Sequence, residues 1–212
     1  MDRQIDKRFE QAYFDTYCDG KPYYKTLSAH LFGFNWLVFY LCLAFNKPKE
    51  DMVNWLRGKS LLDAGCAFGH VVHDFSEAGV LACGYDCAEY AITNSLPSVQ
   101  EDVWLGDSVD VLPNFRENSF DIVFSNSFQY ARSDEELALF LSESQRISRY
   151  FTFIITATPD SEDHGRPLAN DTPYSVWISR AEWEKKLKDA GFQEVIFVDL
   201  LPFAAFNQIP EV

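Results

Sequence analysis

The stretch Ser60-Leu-Leu-Asp-Ala-Gly-Cys-Ala-Phe-Gly-His70 indicates the fold of the chain. Two leucines followed by Asp63 are typical of the end of a buried parallel strand, and Gly65 and Gly69 predict a tight turn into a helix. Small residues in such a turn let a ligand lie against the main chain, and NH groups at the helix start favour negative ligand atoms. The Asp63 carboxylate repels a diphosphate and attracts an ammonium group. The stretch therefore predicts a binding loop for a cationic, amino-acid-like ligand.

The composition is that of a compact, acidic protein. Of the 212 residues, 47% are hydrophobic and 16% are aromatic, which excludes a disordered chain. The net charge is −14, and no basic cluster is visible, so binding to a phosphate backbone is not expected. We therefore predict no nucleic-acid partner, whereas a cationic ligand is compatible with the acidic field.

The cysteines, the first residues and the longest apolar run bear on the compartment and the partners. The five cysteines show no paired CxxC spacing, so we predict free thiols in a reducing cytoplasm and no metal site at Cys83 and Cys87. Residues 1–9 are highly charged and do not resemble a signal peptide. The apolar run Leu31–Phe45 is shorter than the roughly 20 residues that span a membrane. We predict a buried helix there, with an outer side available for a homodimer contact.

From residue 60 onwards, strand-like and helix-like segments alternate, which predicts an α/β fold with a doubly wound, mostly parallel sheet. Residues 1–58 show helical patterns and are predicted to form an N-terminal cap or lid, in front of one compact α/β domain at 59–212. The predicted strands are Ser60–Asp63, Ala82–Asp86, Val103–Gly106, Phe120–Ser125, Tyr150–Thr156 and Glu194–Leu200. The predicted helices are His70–Ala78, Glu89–Ser95, Asp134–Ser148 and Ser179–Ala190, the last with Ser179 and Glu182 as a capping box and Gly191 at its end. Pro202 and Pro210 make a seventh strand short or missing.

The loop that begins at Asp63 resembles the first motif of class I S-adenosylmethionine-dependent methyltransferases, an acidic residue followed by alternating glycines. Ala67 stands where glycine is usual. The resemblance implies a Rossmann-like methyltransferase fold and S-adenosylmethionine as the cofactor. It also implies that Asp86, at the end of the second predicted strand, binds both ribose hydroxyls of the cofactor. The alternative for Asp86 is a cap on the next helix.

The resemblance extends to the later strand ends. It implies that Asp107 and Ser108 contact the adenine, and that the Ser125 carbonyl accepts from the methionyl ammonium. The implied cofactor residues are Asp63, Gly65, Cys66, Ala67, Gly69, Asp86, Cys87, Asp107, Ser108, Ser125 and Tyr17, the last in an aromatic leader like that of bacterial small-molecule and sugar methyltransferases. A hydroxyl acceptor needs a base, and the expected catalytic residues are Tyr130 and His164. Phe9, Phe14 and Trp36 are assigned to the core.

The residues and the resemblance together predict an enzyme that moves the methyl group of S-adenosylmethionine to oxygen of a small-molecule or sugar-like acceptor, with nitrogen as the less favoured alternative. Two alternatives stay open at this point. Ala67 and the doubtful last strand leave room for a non-catalytic module that only binds S-adenosylmethionine. An NAD-dependent oxidoreductase is the second alternative, and the acidic residue at 63 argues against it.

Overall fold

Five parallel strands form the sheet in the computed structural model of the protein, which describes residues 7–16, 34–156, 158–160 and 175–198. The strands are β1 (Ser60–Ala64), β2 (Leu81–Asp86), β3 (Val103–Leu105), β4 (Phe120–Ser125) and β5 (Ser148–Ile154). Their order across the sheet is β3-β2-β1-β4-β5, and the predicted parallel α/β fold is confirmed. The register places Ala64 beside Tyr85, so β1 and β2 end together. The chain reverses its direction of travel across the sheet between β1 and β4, which is where such sheets bind ligands.

Eight α-helices lie in the described part of the chain. They are α1 (Gln11–Thr16), α2 (Phe34–Phe45), α3 (Lys49–Leu56), α4 (His70–Glu77), α5 (Glu89–Thr93), α6 (Ser108–Val111), α7 (Asp134–Ile147) and α8 (Arg180–Asp189). The predicted capping box at α8 is confirmed, because the Ser179 hydroxyl accepts from the Glu182 NH and the Glu182 carboxylate accepts from the Ser179 NH. Gly191 follows the helix with a φ of +102°, which favours glycine at this position.

Alternating side chains give the sheet two buried apolar faces. Leu61 and Ile122 belong to the face covered by α2, α3 and α4. Leu62 and Val123 belong to the other face, covered by α7 and by Trp183 of α8, which is 1% exposed. The sheet is therefore doubly wound, and its two faces are covered by helices while its strand ends are left to form a site.

The N-terminal region contributes to two different places. Leu37 and Leu41 of α2 lie in the same core cluster as β1 and β4. In contrast, Phe14 of α1 packs in a separate cluster with Phe68, in the turn after β1. The division of the chain at residue 58 stays a prediction, but the helices α2 and α3 are part of the core on one sheet face.

The predicted sixth strand is wrong over its described part. Residues 194–198 form no strand, and residues 199–200 lie outside the described ranges, as does the segment considered for a seventh strand. Ile196 and Phe197 are 48% and 40% exposed, so this segment lacks the buried face that sets the register of a strand. Within the described ranges, no helix combines the length and the apolar character needed to cross a bilayer.

Candidate active site

A cleft opens at the carboxyl ends of β1, β2, β3 and β4. It encloses about 770 Å³, including space open to solvent. The residues that line it are Arg8, Phe9, Tyr13, Phe14, Gly65, Ala67, Tyr85, Asp86, Cys87, Gly106, Asp107, Ser108, Asn126, Ser127, Tyr130, Arg132, Glu136 and Phe140. The cleft thus brings together four strand ends and the N-terminal segment (residues 7–16).

Most of the predicted site residues meet at this cleft. Those on its wall are Gly65, Ala67, Asp86, Cys87, Asp107, Ser108 and Tyr130. Those that are described but do not line the wall are Asp63, Cys66, Gly69 and Ser125. Tyr17, His164 and Cys18 lie outside the described residues. The other four cysteines are free thiols, and no three described His, Cys, Asp or Glu side chains are grouped as ligands for a metal ion.

The glycine loop (residues 65–69) is held by the end of β2. The NH groups of Gly65 and Cys66 both donate to the Tyr85 carbonyl at 2.9 Å. The Ala67 NH donates to Asp86 Oδ2 at 2.8 Å. These three NH groups are therefore bonded within the protein, and the expectation that NH groups at the start of α4 favour a negative ligand stays a prediction. The loop therefore has fewer unbonded NH groups for a diphosphate than a dinucleotide-binding loop provides.

Close packing explains the glycines of this loop. Gly65 and Gly69 have φ values of +87° and +80°, and a Cβ on Gly65 would lie 2.2 Å from the Ser127 Oγ. A Cβ on Gly69 would lie 2.7 Å from a Val99 methyl group. Ala67 has a φ of +47°, a left-handed conformation that costs an L residue about 1–2 kcal/mol. The glycines thus serve internal packing, and Ala67 adopts a left-handed backbone conformation of the kind that favours glycine.

Three carboxylates lie at or just after the ends of β1, β2 and β3, namely Asp63, Asp86 and Asp107. Asp63 is 2% exposed, and its Oδ1 has no hydrogen-bond partner among the described residues. Burial raises the pKa of Asp63 well above its usual range, and the Asp86 charge raises it further. Burial also raises the pKa of Asp86. The hydrogen bonds that its carboxylate accepts from the NH groups of Ala88 and Ala67 lower this pKa, but burial is the larger effect. A cation placed here would stabilise the ionised carboxylates.

The third strand end is already hydrogen-bonded within the protein. Asp107 caps α6 by accepting from the Val109 NH at 3.2 Å, and its Oδ2 lies 3.1 Å from the Arg132 guanidinium. The Ser108 hydroxyl bonds to the Tyr85 hydroxyl at 2.8 Å. A carboxylate offers about four lone-pair sites, so these contacts are compatible with a further bond to a ligand.

The N-terminal segment covers the cleft at Tyr130. The Tyr130 and Tyr13 hydroxyls are 3.5 Å apart, and the Phe9 ring meets the Tyr130 ring edge-on at 5.5 Å. Arg8 Nη1 donates to the Tyr130 carbonyl at 2.9 Å. Phe14 is 3% exposed and belongs to a core cluster, as predicted, and Phe9 packs against that cluster. Both rings also line the cleft, and the Trp36 side chain lies outside the described residues. The segment packs on the turn after β1 and not on a sheet face, which local sequence patterns do not reveal.

The polar loop (residues 126–132) directly follows Ser125, the last residue of β4 and a predicted cofactor residue. Ser125 is fully buried, and its carbonyl accepts from the Ile155 NH at 2.9 Å. The next two residues, Asn126 and Ser127, line the cleft instead. The role assigned to the Ser125 carbonyl stays a prediction, and in the structure that carbonyl accepts from the residue directly after β5.

Two charged residues that line the cleft, Arg132 and Glu136, were not among the site residues predicted from the sequence. Arg132 lies between Asp107 and Glu136, and its guanidinium and backbone NH both bond to the Glu136 carboxylate. The spacing of four residues between Arg132 and Glu136, directly after Tyr130, was the available signal. It predicts a helix-start ion pair, but it does not predict that the pair faces a cleft.

The comparisons with known proteins agree with this geometry. Residues 62–150 match the family model described as "Methyltransferase domain". A search among curated proteins found no match.

Solved structures share the fold. A SAM-dependent methyltransferase from Archaeoglobus fulgidus is 20% identical with a TM-score of 0.55, over 74% of this chain and 74% of that chain. A chain of the Haloferax volcanii complex that contains the Trm112 methyltransferase activator is 20% identical with a TM-score of 0.53, over 64% of this chain and 62% of its own length. Phosphoethanolamine N-methyltransferase 1 of Haemonchus contortus, solved with phosphoethanolamine and S-adenosylhomocysteine, is 21% identical with a TM-score of 0.50. The match covers 61% of this chain and 30% of that chain. The strand order and the cleft at the strand ends agree with the fold of these structures, and residues 62–150 match a methyltransferase domain.

Proposed function

We propose that the protein transfers the methyl group of S-adenosylmethionine to oxygen of a small-molecule or sugar-like acceptor, with nitrogen as the less favoured alternative. The observation that carries the proposal is the buried Asp63 carboxylate, whose Oδ1 has no hydrogen-bond partner among the described residues. It lies next to a loop whose NH groups at 65–67 are already bonded. This arrangement suits a ligand with a positive charge and does not suit a diphosphate.

The donor and acceptor groups of the cleft fit the parts of S-adenosylmethionine. The two Asp86 oxygens accept the NH groups of Ala67 and Ala88. A carboxylate offers about four lone-pair sites, and we assign the remaining ones to the ribose hydroxyls. Asp107 and Ser108 are assigned to the adenine, and Asp63 to the ammonium group. Of these four residues, Asp86, Asp107 and Ser108 lie on the cleft wall, whereas Asp63 is buried and does not line it.

S-adenosylmethionine supplies an electrophilic methyl group on a sulfonium ion. The protein's part is to align an acceptor with that group and to exclude water. The facing hydroxyls of Tyr130 and Tyr13 can hold an acceptor hydroxyl by hydrogen bonds. A phenol is neutral at pH 7, so Tyr130 accepts the acceptor's proton only when it is ionised. His164 remains the second proposed base.

Thermal unfolding with three ligands tests the proposal. S-adenosylhomocysteine at about 100 times its Kd stabilises the native state by about 2.7 kcal/mol, which raises the Tm by about 5–10 °C in a chain of this size. NAD and ATP are expected to leave the Tm unchanged. Stabilisation by NAD alone would contradict the proposal.

Incubation with methyl-labelled S-adenosylmethionine and a metabolite extract then separates an enzyme from a binding module. We expect a labelled small molecule that disappears when Tyr130→Phe or heat-treated protein is used. Saturating cofactor binding without any labelled product, across extracts of several sources, would favour the non-catalytic module.

The proposed homodimer uses the outer side of α2. Phe39, Leu43 and Phe45 there are 37%, 50% and 40% exposed. Leu43→Glu is expected to convert a dimer into a monomer by light scattering, whereas Leu81→Glu, at a 68% exposed position, is not. A wild-type monomer at high concentration would contradict the contact. We also propose a cytoplasmic location, which the free thiols support.

A further inference from the structure

We infer that Gln129 holds the Asn126 side chain in the orientation that offers N–H donors to the cleft, and that this selects an oxygen-rich methyl acceptor, an assignment that rests on the proposed function. Asn126 lines the cleft. Gln129 is 4% exposed and does not line it. Gln129 therefore acts through Asn126 and is a positioning residue.

Two hydrogen bonds determine which way both amide groups face. Gln129 Nε2 lies 2.8 Å from the main-chain carbonyl oxygen of Asn126. A carbonyl oxygen can only accept, so the Gln129 atom beside it is the NH2 group and not the oxygen. The same NH2 group lies 3.4 Å from the end of the Asn126 side chain, which must accept its second proton and is therefore Oδ1. The other end of the Asn126 amide is thus its own NH2 group, which can donate to a ligand.

The backbone of Gln129 is fixed by a segment from a distant part of the chain. The Gln129 carbonyl accepts from the NH groups of Ser175 and Val176 at 3.1 and 2.9 Å. The Ser175 hydroxyl donates to the Ala131 carbonyl at 2.7 Å, and Val176 is buried in the core. Because its backbone is bonded and its side chain is buried, Gln129 can hold Asn126 in place before a ligand binds.

Packing alone does not explain a glutamine at this position. Gln129 Oε1 is buried and has no hydrogen-bond partner among the described residues. An unpaired buried carbonyl oxygen costs free energy, whereas a leucine or methionine of similar volume fills the space without that cost. The adjacent Phe128 is fully buried, so large apolar side chains fit in this part of the loop. What Gln129 provides beyond packing is the NH2 group that bonds to Asn126.

The orientation of Asn126 determines which methyl acceptors fit. An amide NH2 group donates to a hydroxyl, carbonyl or ether oxygen, but it offers no lone pair to the N–H groups of an ammonium ion. The hydroxyls of Tyr13 and Tyr130, 3.5 Å apart on the same cleft, can also bond to ligand oxygens. A sugar or a hydroxy-carbonyl compound therefore finds partners for the oxygen atoms beside the one that receives the methyl group.

Two isosteric variants reverse the polarity of this wall from different positions. Asn126→Asp keeps an oxygen for Gln129 Nε2 and presents a second oxygen in place of the NH2 group. Gln129→Glu places an oxygen beside Asn126 Oδ1, which favours the flipped Asn126 amide with Oδ1 towards the ligand. The rate of labelled-product formation from methyl-labelled S-adenosylmethionine is measured over a dilution series of a metabolite extract. Both variants should raise the half-saturating amount of extract about tenfold or more, without weakening S-adenosylhomocysteine by more than about twofold.

Gln129→Met tests the same role without a buried charge, should Gln129→Glu fail to fold. It fills the space but cannot hold the Asn126 amide, so the half-saturating amount should rise by a smaller factor. In an Asn126→Ala background, Gln129→Met should have no further effect on that amount, because the residue that it positions is absent. Gln100→Glu is the matched control, because Gln100 is exposed and does not line the cleft, and we expect it to change neither quantity.

Equal effects of Gln129→Met with and without the Asn126 side chain would show a packing role and overturn the inference. Labelled-product formation that Asn126→Asp leaves unchanged would overturn it as well, as would a labelled product that is an amine without oxygen atoms near the methyl group. In these cases the proposed methyl transfer still stands. If the wild type binds S-adenosylhomocysteine but forms no labelled product in any extract, the proposed function and the inference are both rejected.

Discussion

The glycine loop and the polar loop follow neighbouring strands, β1 and β4, yet they are built in opposite ways. The glycine loop is shaped by its backbone, since its NH groups at 65–67 bond to β2 and a Cβ at Gly65 or Gly69 finds no space. The polar loop is shaped by side chains that reach distant segments, such as Tyr130 to residues 7–16 and Arg132 to Asp107. Sequence motifs predict a loop that is shaped by its own backbone, but they do not predict most contacts of a loop that is shaped by distant side chains.

The two loops also depend on each other. The hydroxyls of Ser125 and Ser127 donate to the Ala64 carbonyl at 2.9 and 2.7 Å, directly before the glycine loop begins. Ser127 occupies the space that a side chain at Gly65 would need. The two loops therefore contact each other at the base of the cleft, and we expect a substitution in one loop to affect the other.

Gly65→Ala should have the largest effect on stability. The positive φ costs about 1–2 kcal/mol for alanine, and the clash with Ser127 adds about 1–3 kcal/mol of overpacking. Urea unfolding should therefore show a loss of about 2–5 kcal/mol. The double variant with Ser127→Gly should recover the part due to the clash.

Gly58→Ala is the matched control for that variant. Gly58 has a φ of +72°, but nothing lies within 4 Å of a Cβ there, so only the backbone cost is expected. A Gly65→Ala loss no larger than that of Gly58→Ala would mean that the two loops are not coupled by packing.

Asp86→Ala tests whether the glycine loop is held from β2. Losing two charge-assisted bonds to the ribose should weaken S-adenosylhomocysteine by about 2 kcal/mol or more. The NH groups of Ala67 and Ala88 lose their acceptor as well, so the folded state should be less stable by at least about 1 kcal/mol. Calorimetry and urea unfolding measure the two effects.

Asp110→Ala removes an equal charge from an exposed position and should change neither quantity. If Asp86→Ala lowers stability but leaves the Kd unchanged, Asp86 serves the loop alone, and its assigned ribose role is refuted.

Asp63→Asn separates stability from binding. The native pKa of Asp63 is raised, so the native state holds the proton more tightly than the unfolded state. Its stabilising contribution is complete below the unfolded pKa of about 4 and is lost as the pH rises through the native pKa. The apo Asn variant should therefore lose less stability between pH 4 and 8 than the wild type, and at pH 7 it should be more stable by about 1–3 kcal/mol.

The same variant should bind S-adenosylhomocysteine more weakly, because the ammonium group loses an anionic partner. For the wild type, affinity should rise with pH as Asp63 ionises, whereas 5′-methylthioadenosine should show a flatter profile. Identical pH profiles for wild type and Asp63→Asn, in stability and in affinity, would refute the role of Asp63.

Arg132→Gln is expected to have the smallest effect. The side chain is 45% exposed, and such ion pairs contribute about 0–1 kcal/mol. We expect a change in unfolding free energy below about 1 kcal/mol and a nearly unchanged Kd for S-adenosylhomocysteine by calorimetry. A large loss of cofactor affinity would show that the polar loop contributes to the cofactor site as much as the glycine loop does.

The sequence predicted the parts of the fold whose physics is local. Alternating strands and helices, the turn at Gly65 and the capping box at Ser179 follow from hydrophobic period, glycine geometry and helix capping. These signals lie within a few residues of the feature that they predict.

Features that depend on distant contacts could not be predicted in the same way. Phe9 and Phe14 look like core residues in the sequence, yet they line the cleft because their segment crosses the turn after β1. The apolar residues near Ile196 resemble a strand, although no neighbouring strand pairs with the described part of that segment.

The most direct test of the account is a crystal structure with S-adenosylhomocysteine at a concentration that saturates binding in solution. We predict that the ribose hydroxyls lie within hydrogen-bond distance of the Asp86 carboxylate and that the ammonium group lies on the side of Asp63. A ligand bound elsewhere, or one whose ribose lies away from Asp86, would contradict the assignment of the strand-end carboxylates to the cofactor.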